Sequence, residues 1–216
     1  MYIVFEGIVA SGKTTHSKKL YDYLKEKFPE KEVVWTRDPG STEIAKSVRK
    51  LVQVTKFNED MDGICETYLY AASRAQSLMQ VVKPVPANKG IVVSDRSFIT
   101  SMAFQGYGRE IGHKIIYEIN KTAVDNYIPD LIIFLDLDIA VALKRATDQD
   151  GDKFERMGRK FFEKVRKGYL EISKMDIFKN KWVLVKIPER EGRGKHIEEN
   201  FKLILDHIKP YIDSIE

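Results

Sequence analysis

Gly12-Lys13-Thr14 closes the stretch GIVASGKTT (7–15), which follows directly on the apolar run MYIVFE. With Gly7 it fits G-x-x-x-x-G-K-[ST], the spacing of a loop that wraps phosphate between a strand and a helix. Glycines let the backbone curl so that its N–H groups point inward, and the start of the following helix adds about half a positive charge. In that arrangement Gly7, Ile8, Val9, Ala10, Ser11, Gly12, Lys13, Thr14 and Thr15 would cradle the phosphates of a nucleotide. Lys13 reaches the β- and γ-phosphates, and the Thr14 hydroxyl binds Mg²⁺. No N-K-x-D stretch is present to read guanine, which argues against a GTPase.

Three further stretches carry groups suited to an acceptor. TRDPGSTEIAKSVRK (36–50) holds a turn with Arg37 and Asp38, then Arg49 on the next helix. SDRS (94–97) offers Asp95, which can hold Mg²⁺ through water, and Arg96, whose fork of donors suits a transferring or acceptor phosphate. YLYAASRAQ (68–76) sets Tyr70 and Arg74 four residues apart, on one helical face, as a stacking ring and a donor for a base would be. On spacing alone, a core tyrosine and a solvated arginine is the simpler reading of that pair. TDQDGDKFERMG (147–158) is polar and contains Gly151 and Gly158. It reads as a lid with Arg156 as its cation and Lys153 in reserve, although composition alone favours a solvated loop.

The elements that must position these groups alternate along the chain. Strands are expected at 2–6, 32–36, 90–95, 130–136 and 181–187. Helices are expected at 13–28, 43–53, 62–82, 98–104, 112–126, 139–147, 159–174 and 196–212. Strand-helix alternation with near-continuous apolar strands predicts an α/β domain spanning 1–216, a parallel five-stranded sheet with helices on both faces. Its ligands belong at the carboxyl ends of the strands.

Composition sets outer limits. The 216 residues are 43% hydrophobic and 31% charged, an ordinary globular balance. The net charge of +4 suits an anionic small substrate and gives no argument for nucleic acid. No run approaches a membrane span, and no leader is legible at the N-terminus. Cys65 stands alone and reads as a half-buried small residue in a reducing, cytoplasmic setting. The scattered histidines read as surface or core-edge groups, and Trp35 and Trp182 as core.

FEGIVASGKTT, TRDPGST, YAASRAQ and SDRSFITSMAFQGYGR resemble, in order and spacing, the motifs of thymidylate (dTMP) kinases, and FFEKVRKGYLEI resembles that family's post-lid helix. The resemblance implies a P-loop nucleoside-monophosphate-kinase fold, phosphoryl transfer from ATP to dTMP with Mg²⁺, and a homodimer. It implies that Asp38 lies near the acceptor phosphate, that Arg49 and Arg96 hold that phosphate, and that Tyr70 stacks on thymine. Arg74 would donate to a thymine carbonyl, Ser101 and Gln105 would read the base edge, Phe104 would line the sugar, and Arg145 would lie over adenine. Lys13, Arg96, Asp95 and Arg156 would carry the transfer.

The chain departs from that pattern at Val9, where the family carries an acidic residue, at Ala10, where some members carry arginine, and at Gly158, where the lid's second acidic position falls. Val9-Ala10-Ser11 also resembles the loops of deoxynucleoside kinases, which phosphorylate a bare 5′-hydroxyl. Against that alternative, Arg37, Arg49 and Arg96 suit an anionic acceptor. A nucleotide-binding regulator without catalysis is a third reading, opposed by the retention of Lys13, Thr14, Asp95 and Arg96.

Overall fold

The computed structural model describes residues 1–55, 57–86, 89–147, 157–188 and 196–215. Five strands, β1 (Tyr2–Glu6), β2 (Glu32–Arg37), β3 (Gly90–Asp95), β4 (Leu131–Asp136) and β5 (Trp182–Lys186), form one sheet in the order β2-β3-β1-β4-β5. Every pairing is parallel, and β1 lies between β3 and β4. All residues of β3 and β4 are buried, as strands covered on both faces must be. Alternation explains how. Ile91 and Val93 point into the main core with Ile3, Phe5 and Leu20, whereas Val92 packs on the opposite face with Leu78, Val82 and Val85.

The helices are α1 (Lys13–Lys27), α2 (Glu43–Gln53), α3 (Gly63–Ser77), α4 (Phe98–Ser101), α5 (His113–Val124), α6 (Ile139–Thr147), α7 (Gly158–Ile172) and α8 (Ile197–Asp213). Several begin where a short polar side chain accepts a free backbone N–H. Thr42 caps α2 through Ala45 N at 3.2 Å, Asp62 caps α3 through Ile64 N at 2.8 Å, and Ser97 caps α4 through Ile99 N at 3.2 Å.

Two expected helices differ in form. The helix expected over 62–82 ends as α3 at Ser77 and continues through a wider, π-helical turn at Leu78–Val82. The helix expected over 98–104 becomes α4 followed by a π-helical stretch at Met102–Gly108. That stretch runs tight against its neighbours: a Cβ on Gly108 would lie 2.6 Å from the Phe161 ring, and one on Gly106 would lie 3.0 Å from His113 Cα. Cys65 is exposed rather than half-buried, because it lies on the outer face of α3. His16 is buried, and Trp35 and Trp182 flank the core rather than fill it. No described helix is long and apolar enough to cross a membrane.

Candidate active site

The loop between β1 and α1 curls through three residues in the left-handed region, Gly7 (φ 146°), Ala10 (φ 54°) and Gly12 (φ 90°). Gly7 cannot be replaced cheaply, since a Cβ there would meet Leu135 O at 2.7 Å and Ser11 Oγ at 2.8 Å. Lys13 is buried inside the loop, where its Nζ donates to Ile8 O at 2.5 Å and to Ser11 Oγ at 3.1 Å. Burial holds this ammonium well below the usual lysine range, and the charge of Arg96 presses the same way against the pull of Asp95 and Glu6. A polyphosphate would add its negative charge to that of Asp95 and Glu6. Val9, one of the departures noted above, is buried in the main core. Ile8 and Ser11 are buried as well, and Thr15 is exposed.

Register brings the ends of β2 and β3 to the same level: Arg37 pairs with Asp95. The Thr14 hydroxyl donates to Asp95 Oδ2 at 2.5 Å. Burial is the largest single influence on Asp95 and pushes its carboxyl up. Arg96, Lys13, Arg37 and the Thr14 hydroxyl together outweigh it and hold the group ionised. Asp95 Oδ1 is buried and finds no partner among the described residues. An ionised oxygen left open beside a threonine hydroxyl is a donor set that fits Mg²⁺. Among the described residues there is no group of three or more His, Cys, Asp or Glu side chains that would form a complete metal cage. The remaining ligands would be water and nucleotide phosphate.

Arg96 takes up a left-handed conformation (φ 76°), uncommon for a residue with a side chain. Its N–H donates to Phe5 O at 3.0 Å, and its carbonyl accepts Ser94 Oγ at 2.7 Å. The turn directs the guanidinium under the phosphate loop, where it donates to Gly7 O at 3.3 Å and lies 5.4 Å from the centre of the Phe104 ring. Glu6, at the end of β1, accepts Ser97 Oγ and Thr100 Oγ1, both at 2.6 Å, and Tyr169 OH at 3.0 Å. This buried carboxylate ties the phosphate loop, the Arg96 turn and α7 together.

Arg74 sits at the centre of a second cluster of polar groups. It is buried, and its Nε donates to Asp38 Oδ2 at 2.5 Å. Its other nitrogens donate to Asn120 Oδ1, to Ser101 Oγ at 3.1 Å and to Ser97 O at 3.5 Å. Asp38 N in turn donates to Asp95 O at 3.0 Å, and Asp38 Oδ1 has no partner among the described residues. Arg49 donates to Pro39 O at 3.1 Å, and its Cδ runs past Gly40, where a Cβ would come within 3.2 Å. Arg49, Arg74 and Arg96 are therefore linked through two adjoining segments, 38–40 and 95–101. Tyr70 is buried on the Arg74 face of α3, its hydroxyl accepting Gln53 Nε2 at 3.2 Å. Gln105 is buried and donates to Glu66 Oε1 at 2.7 Å, and Arg109 clamps the same carboxylate through both oxygens. Arg145 lies half-buried in the last turn of α6. Arg156, Lys153 and most of the expected lid lie outside the described residues.

Sequence reasoning missed Glu6, Asn120, Glu66, Arg109 and the bidentate pair of Arg166 with Asp136 (2.6 and 2.7 Å). A signal existed for two of them. Asn120 falls between Ile116 and Val124 at i, i+4, i+8, and Glu66 precedes Tyr70 and Arg74 at the same interval, so each is a polar residue on a buried face.

A five-stranded parallel sheet with a phosphate loop after β1 and arginines clustered at the ends of β2 and β3 defines a P-loop nucleoside-monophosphate kinase. A family model described as thymidylate kinase matches residues 5–191. The chain is 41% identical over 176 residues to the thymidylate kinase of Desulforudis audaxviator, covering 82% of this chain and 79% of that one. It is also 41% identical over 173 residues to the Finegoldia magna thymidylate kinase, covering 80% and 84%. The crystal structure of thymidylate kinase from Ehrlichia chaffeensis superposes with a TM-score of 0.72 at 29% identity, covering 98% of this chain and 97% of that one. The chain belongs to the thymidylate kinase family.

Proposed function

We propose that this chain transfers the γ-phosphoryl group of ATP to dTMP, giving dTDP and ADP, as a step toward dTTP. The observation that carries the reading is the linkage of Arg49, Arg74 and Arg96 through segments 38–40 and 95–101, beside the phosphate loop of Lys13. That concentration of cations suits an acceptor that already bears a phosphate.

The proposed division of labour follows the thymidylate kinase pattern. Residues 7–15 cradle the ATP phosphates, Lys13 turns from Ile8 O to the β- and γ-phosphates, and Arg145 lies over adenine. Thr14 and Asp95 would hold Mg²⁺, which would offset charge developing in the transfer. Arg96 and Arg49 grip the acceptor phosphate, with Asp38 positioning the loop beside it. Tyr70 stacks on thymine, Arg74 donates to a base carbonyl, Ser101 and Gln105 read the base edge, and Phe104 lines the sugar. No covalent intermediate is needed, since positioning and charge neutralisation account for catalysis of this type. Arg156 remains the candidate lid cation.

The chain acts on small molecules, and we place it in the cytoplasm as a homodimer. The dimer surface is the outer face of α3 and the turn after it, where Cys65, Tyr68, Ala72 and Met79 form an exposed stripe at helical spacing. A screen of nucleoside monophosphates for ADP release, with ATP and Mg²⁺, tests the function. dTMP is expected to give the highest rate and Lys13→Ala to abolish it. A different preferred monophosphate, or full activity in Lys13→Ala, refutes the assignment.

A further inference from the structure

Thr14, Asp95 and Arg37 form a closed ring. The Thr14 hydroxyl donates to Asp95 Oδ2 at 2.5 Å, and the Arg37 guanidinium donates to the same oxygen from Nε at 3.2 Å and from its terminal nitrogen at 3.0 Å. That terminal nitrogen also donates to Thr14 Oγ1 at 2.8 Å. Arg37 therefore engages both side chains assigned above to the metal, and occupies one of the two acceptor positions on the hydroxyl oxygen. β-register fixes the arrangement, since Arg37 and Asp95 are paired at the ends of adjacent strands. The side chain is 36% exposed, so it has water to move into, whereas that of Asp95 is 1% exposed and stays.

We infer that Arg37 is a tethered stand-in for the divalent ion: it holds Thr14 and Asp95 in place before the metal arrives and competes with it for the Thr14 oxygen. A guanidinium and Mg²⁺ sharing one hydroxyl oxygen would lie within a few ångströms of each other in a partly buried site, and their repulsion opposes joint occupancy. Metal entry thus requires Arg37 to give up Thr14. The protein binds the bare ion more weakly than its donors would allow, because only the displaced state is competent. Nucleotide phosphates supply the missing ligands and tip the balance, so the metal enters with the nucleotide. Arg37 acts through Thr14 and Asp95 and is a positioning residue. The inference rests on the assignment of those two residues to the metal.

Titration with Mn²⁺, read by electron paramagnetic resonance in the presence of a non-hydrolysable ATP analogue and without acceptor, tests it directly. Arg37→Gln is expected to bind Mn²⁺ more tightly, by about ten- to a hundredfold for the loss of one charge-assisted contact. Arg37→Lys keeps the charge but has no fork to bridge both groups, and is expected to fall between. Unchanged or weaker Mn²⁺ affinity in Arg37→Gln, with its melting midpoint preserved, overturns the inference. If Arg37→Gln melts early, Arg37→Lys decides, and wild-type affinity in it overturns the inference too. Thr14→Ala separates the premise: weakened Mn²⁺ binding keeps the metal assignment standing whatever Arg37 does, and unchanged binding defeats the assignment and the inference together.

Discussion

Arg74 and Asp38, on α3 and on the turn after β2, form a buried ion pair with Nε and Oδ2 2.5 Å apart. The pair sets the height of the 38–40 turn, because Asp38 is also bonded through its backbone to Asp95 at the end of β3. Breaking a buried pair by removing one partner leaves an uncompensated charge and costs about 3–5 kcal/mol. Asp38→Ala is therefore expected to lower the melting midpoint by roughly 6–20 °C for a chain of this size. Removing both charges in Arg74→Met with Asp38→Ala should cost less than the sum of the singles. Additive losses in that thermal-melting cycle would mean that the two groups are not coupled.

The ring and the hydroxyl of Tyr70 have separable roles. The hydroxyl accepts Gln53 Nε2 at 3.2 Å, and the ring, which packs with the main core cluster, is the part proposed above to stack on a base. Losing a base–aromatic stack costs about 1–3 kcal/mol, so Tyr70→Ala should raise the KM for dTMP by roughly five- to a hundredfold. Tyr70→Phe keeps the ring and should leave KM near the native value. Steady-state kinetics decide: equal damage in both variants would assign the effect to the hydroxyl and remove the stacking role.

His16 makes stability depend on acid. Burial, aided by the charge of Lys19, lowers this imidazole to about 4. Its unfolded value is near 6.5, so the unfolded chain takes up a proton first as pH falls. The contribution of neutral His16 is complete above pH 6.5 and is lost as pH drops toward 4, by an amount on the order of 3 kcal/mol. Denaturant titrations at pH 7 and pH 5 should therefore show a steeper loss for the native chain than for His16→Gln. Parallel losses would contradict the shift.

Much of this architecture was legible because its causes are local. Strand-helix alternation, the apolar run of β4 and the turn residues at 37–40 all act through neighbours in sequence, and the sheet and phosphate loop follow from them. What was hidden depends on distant partners. Asp38 and Arg74 were each visible, but nothing in their spacing announces that one holds the other. Arg37 was read as facing an anionic acceptor, whereas strand register turns it onto Asp95 and Thr14. Glu6 ends an apolar strand without distinction, and its importance appears only when Ser97, Thr100 and Tyr169 converge on it. The widened helical stretches at 78–82 and 102–108 also escaped, because an apolar period cannot register a single extra residue in a turn.

The exposed stripe on α3 predicts self-association. Tyr68 on α3 is 59% exposed and Met79, in the wider turn that follows it, is 58% exposed. Tyr68→Glu with Met79→Glu should convert a dimer to a monomer in sedimentation while leaving the fold intact. A native chain that sediments as a monomer at all concentrations would rule out the interface.

Competition between thymidine and dTMP, with ATP and Mg²⁺ and all products resolved, tests the central claim that the cluster of Arg49, Arg74 and Arg96 serves a nucleotide already carrying one phosphate. The expected result is consumption of dTMP to dTDP with thymidine left unchanged. Conversion of thymidine to dTMP while added dTMP persists, or tight dTMP binding without any dTDP, would contradict it.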